Sequence, residues 1–435
     1  MYTPFQKTKS LILVLFAVLL AQGIRAQSDS SSFTLVQAQD YALKNAYSVK
    51  SVKYDAEVAS STTQELIGIG LPQINGTATY LNNIYAPYTI IPAGSFGPDE
   101  VRARFQQPHN LTLGVTASQL LFDGTWLVGL EASKSYEQLQ NKNIEKSEIN
   151  TKDDIAQSYY LAVVAGESLK IIQSTRDALA NTLKDTEAYY EAGFLEKQDV
   201  DQLKLTLNDI NIQISYAEEQ ARFTKDLLKF KMGYPLQKEI TLSDDATALM
   251  SLDSNSLLNA PFNAQQNINV ELAQSGLIMQ QLNLKAKKAA YLPNLAAAWT
   301  IQTQAQRSEF NFLDSKEPYL YGNFVAVQLN VPILSGGQRK YATKKAEVEV
   351  RRLTDMKTLA EQAAELDYRN AKKELDNAMK VYASSQESLR LAEDIYKTEE
   401  IKFKEGIGSS MDLTQRNSQV LSSQGSYIQA MLKLL

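Results

Sequence analysis

A long stretch near the C-terminus contains no helix-breaking residue. From Gln338 to Glu405 the chain has no Gly or Pro and is rich in Ala, Glu, Lys and Leu. A helix of about 68 residues, with a rise of about 1.5 Å per residue, is on the order of 100 Å long. This is far longer than the helices of ordinary globular domains. We therefore expect it to lie against other long helices, in a coiled coil or a barrel of helices.

The same series of segments occurs twice in the chain. The alternating segment LTLGVTASQLLFDG (Leu111–Gly124) has a counterpart in FVAVQLNVPILSGG (Phe324–Gly337), and LPQINGTATY has one in LPNLAAAWTI. Each copy also contains a helix break in which a Gly precedes an Asp by six residues. The two pairs are Gly193 with Asp199 and Gly406 with Asp412. Because these landmarks keep their order and spacing, the pattern predicts a tandem duplication of one large unit.

The duplication divides the chain into four predicted parts. These are a signal peptide (1–26), a first repeat (27–235), a linker (236–262) and a second repeat (263–435). The signal peptide is indicated by Lys7 and Lys9, by the apolar run Leu11–Leu20 and by a cleavage site at Ile24–Ala26. A helix belonging to the fold is the alternative interpretation of this segment.

Composition excludes several classes of function. The chain has no Cys, one His and a net charge of −5. Zinc, haem or Ser–His chemistry would all depend on His109, which we interpret as a surface loop residue. A basic face for nucleic acid is not indicated. We therefore expect no enzyme activity, no cofactor, no metal site and no nucleic-acid partner. The charged residues of the segment 99–104 are interpreted as a solvated loop tip.

Each copy reads as helix, strand, strand, long helix and shorter helix. The predicted helices are 33–69, 126–190, 199–232, 263–290, 338–405 and a last one that runs to the C-terminus. Ser31 or Thr34 is expected to cap the first helix. Asp199 and Asp412 are expected to be N-caps, or, for Asp199, a first-turn acid. The predicted strands are 72–88, 111–118, 292–302 and 324–331, with a loop from 89 to 108.

The strands alternate between apolar and small polar residues. Such a sheet either buries its apolar face on a soluble core or turns that face to lipid in a membrane barrel. The polar face carries almost no charge, and tyrosines cluster at the predicted strand ends, which favours the barrel. These tyrosines are Tyr80, Tyr85, Tyr88, Tyr319 and Tyr321. Because closed membrane barrels need eight or more strands, a barrel would require an oligomer. In a ring of copies, the helix-break Asp residues would form acidic rings that select cations.

The duplicated unit resembles the TolC family of outer-membrane efflux proteins. The resemblance lies in FTLVQAQDYALKNAYSVKS near the N-terminus, in LPQINGTATY and LPNLAAAWTI, in LLFDG and PILSGG, and in AGFLEKQDVDQLKLTL and KEGIGSSMDLTQRNSQ at the helix breaks. It covers essentially the whole chain after residue 26. The fold class that it implies is an α+β membrane protein, built as a homotrimer with four strands per protomer. Three chains would form a twelve-strand β-barrel in outer-membrane lipid and a long α-helical coiled-coil barrel in the periplasm.

The resemblance also implies partners and site residues. The channel would be a passive, porin-like conduit of a tripartite efflux or type I secretion system, which exports small molecules or proteins. Its partners would be a periplasmic adaptor (membrane fusion) protein and an inner-membrane pump of the resistance-nodulation-division (RND) or ABC type. The implied pore constriction comprises Asp412, Gln415, Phe403 and Asp199. The implied adaptor-docking tip comprises Gly193, Phe194, Gly406 and Gly408.

Three departures from the family are visible at these positions. Gln415 stands where some members carry a second acid, Gly408 where some carry a gating Arg, and Phe403 where Tyr is usual. The resemblance also implies a last helix that extends beyond the position of Leu435. A periplasmic coiled-coil adaptor or scaffold protein with a soluble sheet is the alternative function, and the two-copy layout disfavours it.

Overall fold

The fold was examined in a computed structural model, which describes residues 31–94, 97–250, 261–314 and 316–435. The predicted signal peptide lies outside the described residues, as do residues 251–260 of the predicted linker. The first half of the chain contains strands and helices in alternation. They are β1 (Ser31–Phe33), α1 (Leu35–Asn45), α2 (Tyr47–Ile69), β2 (Gln73–Asn82), β3 (Thr89–Ile91), β4 (Val101–Ala103), β5 (His109–Phe122), α3 (Gly124–Glu191) and α4 (Lys197–Met232).

The second half begins with three short elements and then repeats the large elements of the first half in the same order. They are β6 (Ile240–Leu242), α5 (Ala246–Met250), a short 3₁₀ turn (Ala264–Gln266), α6 (Ile268–Ala289), β7 (Asn294–Arg307), β8 (Leu320–Asn330), α7 (Gln338–Lys404) and α8 (Ser410–Leu434). The predicted order of helix, strand, strand, long helix and shorter helix is therefore confirmed in both halves. In the described residues, no helix has a stretch long and apolar enough to cross a bilayer.

The prediction of a single helix over 33–69 is wrong, because this segment contains two helices, α1 and α2. Thr34 caps α1 as predicted: its Oγ1 accepts from the Gln37 amide at 3.3 Å, and its own amide donates to Gln37 Oε1 at 3.0 Å. Ala46 then takes an extended conformation and ends α1. Gly233, the C-cap of α4, packs so closely here that a Cβ on it would lie 2.6 Å from the Asn45 carbonyl oxygen.

Strand boundaries also differ from the predictions. The strand predicted over 72–88 ends at Asn82, and the predicted loop after it contains the antiparallel pair β3 and β4. The predicted linker contains β6, which pairs in parallel with β1 from the opposite end of the first half. The β-propensity of a three-residue segment is too weak to predict such a strand from sequence. These short strands are stabilised by their pairing with a strand elsewhere in the chain.

The four long strands form one antiparallel sheet in the order β2–β5–β7–β8. Its register confirms the predicted alternation across all four strands. Ile74, Ala117, Trp299 and Val325 lie level on one face, followed along the strands by Val115, Leu113, Ala297, Val327 and Leu329. The other face carries mostly Thr, Asn, Gln, Ser and Gly, and its large apolar exceptions include Leu81, Leu320 and Phe324.

The apolar face of the sheet is exposed in the single chain. Ile74 is 74% exposed, Val325 71% and Val327 65%. Among the strands of the described residues, β2 and β8 each have a partner on one side only. A sheet with a bare apolar face and two unpaired edges is incomplete as a soluble unit, because both features favour further association.

His109 does not lie in a loop, which corrects the sequence interpretation. It is the first residue of β5, and its Nδ1 lies 2.7 Å from the Tyr80 hydroxyl of β2. Phe310 and Phe312 pack edge-on against the Tyr80 ring, with centroid separations of 5.5 and 5.9 Å. The charged residues of the segment 99–104 are solvated as predicted, with an exposed ion pair between Arg102 and Glu100.

The chain divides into two compact units, and each unit takes segments from both halves. One contains the described residues up to Ser51, those from Ser147 to Phe262 and those from Asp367 to Leu435. The other contains Val52–Lys146 and Asn263–Leu366, which include the sheet. Each compact unit contains residues from both predicted repeats. The boundaries of the repeats therefore stay a prediction.

A glycine at the end of α2 tests the packing beside the sheet. The Trp126 Nε1 donates to the Leu66 carbonyl at 2.8 Å, and this bond holds the indole where a Cβ on Gly70 would lie 2.3 Å from Cζ2. We expect Gly70→Ala to destabilise the fold by about 1–3 kcal/mol, because the ring cannot move without losing its hydrogen bond. The measurement is the shift in the unfolding midpoint, followed by circular dichroism.

The matched control is Gly68→Ala, two residues earlier, in the last turn of α2. A Cβ at Gly68 meets nothing within 4 Å. Alanine is the better helix former by about 1 kcal/mol, so this variant should be neutral or more stable. Equal midpoints for the two variants would contradict the role assigned to the indole.

Candidate functional site

Two helix breaks contain most of the residues singled out from the sequence. In the first, α3 ends at Glu191, and Gly193 adopts the left-handed conformation with φ of +84°. In the second, α7 ends at Lys404, and Gly406 has φ of +75°. Both breaks lie in the same compact unit. We call them tip 1 (Ala192–Glu196) and tip 2 (Glu405–Ser409).

The two tips close their helices in the same way. The Phe194 amide donates to the Tyr189 carbonyl at 2.9 Å, and the Ile407 amide donates to the Lys402 carbonyl at 3.0 Å. This is the Schellman pattern, which satisfies carbonyls at a helix end and requires a left-handed residue, normally glycine. A side chain at Gly193 or Gly406 would therefore strain the turn that contains it.

The two helices after the tips begin with an acidic residue at the third helical position. Ser409 is the N-cap of α8: its Oγ accepts from the Asp412 amide at 3.0 Å and donates to the Asp412 Oδ2 at 2.7 Å. In α4 the Asp199 Oδ2 accepts from the Glu196 amide at 3.1 Å. The N-cap prediction is therefore wrong for Asp412, whereas the first-turn alternative is confirmed for Asp199. Both carboxylates lie where the helix dipole favours negative charge.

A hydrogen bond joins the starts of the two helices. The Ser410 hydroxyl donates to Asp199 Oδ1, so the Asp199 carboxylate accepts bonds from tip 1 and from α8 at once. Ser410 is buried, with only 6% of its surface exposed. Sequence reasoning missed this residue, because serine is common beside helix starts and its partner is 211 residues away.

An apolar cluster lies beneath the two tips. Its buried members are Leu179, Leu183, Val200, Leu203, Ile210, Phe403 and Leu413. Phe403 is 5% exposed and belongs to this core in the single chain. Its assignment to a pore constriction stays a prediction, as do those of Asp412, Gln415 and Asp199.

The surface of the tips carries the remaining predicted site residues. Asp412 and Gln415 are exposed, and Phe194 and Ile407 occupy equivalent positions after the two glycines with more than three quarters of their surface exposed. Gly408 differs from these, because a Cβ on it would lie 3.0 Å from the backbone nitrogen of Phe403. Glycine at this position therefore lets the turn pack closely on the end of α7.

Charge pairs connect the helices near the tips. Lys204 on α4 contacts Glu187 on α3 at 2.9 Å, and Lys404 contacts Glu400 at 2.9 Å and Asp185 at 3.8 Å. Hydrogen bonds to Glu187 and Glu400 raise the pKa of Lys204 and of Lys404 above the usual lysine range. These pairs are exposed, so each adds little to stability. Among the described residues, no group of three or more His, Cys, Asp or Glu could hold a metal ion.

Comparison by sequence and comparison by structure gave different outcomes. The sequence matches no protein-family model and no curated protein. The fold is similar to that of a membrane protein from Pseudomonas aeruginosa, with a TM-score of 0.71, 14% identity and coverage of 92% of this chain and 89% of that one.

Two outer-membrane channels show the same likeness. The open state of the MtrE outer-membrane channel of Neisseria gonorrhoeae has a TM-score of 0.68 and 15% identity, with coverage of 92% of this chain and 86% of that one. The outer-membrane protein VceC of Vibrio cholerae has a TM-score of 0.64 and 14% identity, with coverage of 92% and 94%. The chain therefore has the fold of the TolC-like outer-membrane channels. At these identities the likeness concerns the fold, and the twelve-strand barrel needs more than the four strands of one chain.

The bond between Ser410 and Asp199 can be tested by substitution. Ser410→Ala leaves one oxygen of a partly buried carboxylate without its donor, which should cost about 1–3 kcal/mol. Hydrogen exchange measured by mass spectrometry should then be faster in residues 194–203 and 405–413.

Ser418→Ala is the matched control, since the Ser418 hydroxyl donates to the Thr414 carbonyl within its own helix. This variant should leave exchange at the tips unchanged. The same exchange pattern in both variants would show that the bond to Asp199 does not hold the two helix starts together.

Proposed function

We propose that this chain is the outer-membrane channel subunit of a tripartite efflux or type I secretion system, active as a homotrimer. The observation that carries the proposal is the exposed apolar face of the sheet, together with its two unpaired edges. Three copies that pair β8 of one with β2 of the next would form a twelve-strand barrel. Its apolar face would contact outer-membrane lipid, and its polar face would line a wet lumen.

The strand directions are compatible with such closure. Each neighbour in the sheet is antiparallel, so β2 and β8 run in opposite directions at the two edges. When β8 of one copy meets β2 of another, the antiparallel pattern continues without interruption. No edge is left unpaired after the ring closes, which removes the risk of open-ended association.

Helix α7 supports the oligomer independently. Its buried alanines follow one stripe, Ala346, Ala364, Ala378 and Ala392. A second stripe of exposed large apolar residues consists of Tyr341, Val348, Leu359, Leu366, Val381 and Ile395. Their spacings of 7, 11, 7, 15 and 14 residues are near multiples of the helical repeat, so they share one face. An apolar helix face exposed in one chain is suited to packing against a helix of a neighbouring copy.

The tips receive roles within this proposal. Exposed Asp412 would form a ring of three carboxylates around the pore, with Gln415 one turn further along α8 and with Asp199 nearby in the first turn of α4. Phe403 would support this constriction from within the core. The docking tip for the adaptor would comprise Gly193, Phe194, Gly406 and Gly408, where the exposed Phe194 offers an apolar anchor. The conduit would involve no bond-making chemistry.

Cysteine crosslinking tests the closure of the sheet directly, because the chain has no natural Cys. Asn75→Cys on β2 would be combined in turn with Phe324→Cys, Ala326→Cys and Gln328→Cys on β8, all on the polar face. We expect at least one pair to give crosslinked dimers and trimers in outer-membrane fractions after oxidation. The three β8 positions cover the unknown stagger between copies.

The control pair lies on the two central strands of one chain. Thr116 and Thr300 are opposite each other, with 3.0 Å between their hydroxyl oxygens, so Thr116→Cys with Thr300→Cys should crosslink within a chain and stay at monomer mass. If every β2–β8 pair behaves like this control, or if the protein is a soluble monomer, the channel proposal fails and the scaffold alternative gains support.

Conductance in planar bilayers tests the Asp412 ring. The wild-type channel should be cation-selective, Asp412→Asn should lose most of this selectivity, and Asp412→Glu should keep it, because only the charge matters to the field at a constriction. Selectivity that persists in Asp412→Asn would limit Asp412 to its role in the first turn of α8.

A further inference from the structure

The segment that follows β7, residues 308–314, turns back over the apolar face of the sheet. Tyr80 on β2 and Leu111 on β5 are opposite each other in the register, and both belong to this face. Phe310 and Phe312 pack edge-on against the Tyr80 ring and against each other, the latter with a centroid separation of 5.3 Å. Since β5 lies between β7 and β2, the segment reaches across the outer surface of β5.

A half-open cavity of about 530 Å³ lies between this segment and the strands. The strands contribute Tyr80 and Leu111 to its lining, and the segment contributes Phe310, Phe312 and Leu313. The volume lies within the range of ligand pockets, which is about 300–1,000 Å³. A lining made mostly of aromatic and aliphatic groups suits a ligand that is itself apolar.

Hydrogen bonds fix the connection between β7 and β8 in this position. The Tyr319 hydroxyl donates to the Phe312 carbonyl at 2.6 Å. Arg307, the last residue of β7, donates through Nη2 to the carbonyls of Glu317 and Pro318 at 3.0 and 3.1 Å. Because the two branches of the connection are tied together, the cavity is preformed, and little conformational entropy is lost when a ligand enters.

Two apolar side chains of the segment are left uncovered in the single chain. Leu313 is fully exposed and Phe310 is 70% exposed, whereas Phe312 between them is buried. Exposure of such side chains to water is unfavourable in free energy. An apolar environment around the cavity would remove this cost, as it would for the apolar face of the sheet.

Charged and phenolic groups lie at the same end of the sheet. Glu309, Asp314 and Lys316 are exposed, and Tyr321 is exposed at the start of β8. Tyrosines and charges at the ends of apolar strands are typical of the boundary between lipid and water. In the proposed channel, the cavity would therefore lie where the acyl chains of the bilayer begin.

The polar groups of the cavity favour an uncharged chain. The Tyr80 hydroxyl lies 2.7 Å from His109 Nδ1, and Asp314 Oδ1 accepts from the Lys316 amide at 2.9 Å, so both already have partners. Asp314 lines the cavity, and its carboxylate would repel that of a free fatty acid. A bilayer lipid avoids this repulsion, because it is uncharged where its acyl chains begin.

We infer that this cavity binds the acyl chain of a membrane lipid. The chain lies between the strands and the side chains of Phe310 and Leu313, and it continues along the apolar face of the sheet. The inference rests on the proposed function, because a sheet in the outer membrane presents the cavity to acyl chains.

Photo-crosslinking locates the bound chain. The probe is a phosphatidylcholine with a diazirine near the ester end of one acyl chain, mixed at a low fraction into phosphatidylcholine vesicles that contain the full-length protein. Crosslinks are mapped by mass spectrometry of peptides after irradiation. We expect them to be at least about fivefold more frequent on residues 310–313 than on Val325 and Val327, which lie on the same face but do not line the cavity.

Matched variants fill the cavity or leave it open. Leu111→Trp places a larger side chain in the cavity and should reduce the crosslinks on residues 310–313 at least about fivefold. Val115→Trp, four residues along the same strand and on the same face, should leave them within about twofold. Circular dichroism confirms that both variants are folded. If Leu111→Trp does not fold, Leu313→Ala removes an exposed wall of the cavity and should also reduce the crosslinks.

The crosslinking pattern separates this inference from the channel proposal. Equal frequencies on residues 310–313 and on Val325 would indicate ordinary contact with bulk lipid and would overturn the inference alone. Crosslinks on Val325 with none on residues 310–313 would also overturn it, because a neighbouring copy would then cover the cavity. Protein that stays outside the vesicles and takes up no probe would refute the channel proposal as well.

Discussion

Alternation of apolar and small polar residues in four long strands is the constraint on which the rest of the structure depends. Since side chains in a strand point to opposite faces in turn, the antiparallel register collects Ile74, Val115, Trp299 and Val325 on a single face. That face is exposed in one chain, and burying it in lipid or against protein releases hydrophobic free energy of about 25 cal/mol per Å². The proposed trimer in outer-membrane lipid would remove this face from water, and the other exposed apolar surface of the chain is consistent with that proposal.

The long helix α7 also exposes apolar surface in the single chain. Much of the surface of α7 is exposed, and its buried residues are a stripe of alanines together with Phe403 near its C-terminal end. Small residues allow close approach of helices, whereas the larger exposed apolar residues on the adjacent face require another partner. The helix thus exposes apolar surface, and the sheet has unpaired edges, that a second copy can cover. This agreement between two unrelated elements is the strongest support for the proposed trimer.

Polar contacts determine the details at the tips. The left-handed glycines and first-turn carboxylates reverse the chain in the same way twice, as expected of a duplicated unit. The two helix breaks nevertheless differ, because Asp199 accepts a hydrogen bond from Ser410 of another helix, whereas Asp412 bonds to Ser409, the cap of its own helix. Equivalent sequence positions therefore hold different chemical environments.

Periodicity and breaker residues by themselves determined the order and type of the large elements, the approximate ends of the long helices and the two faces of the sheet. These depend on local backbone preferences and on side-chain spacing, which are properties of short segments. Tertiary structure alone decided the break at Ala46, the pairing of β1 with β6, the place of His109 in the aromatic group with Tyr80, and the bond between Ser410 and Asp199. Each of these features depends on a contact with residues distant in sequence, and a single sequence does not indicate which residues those are.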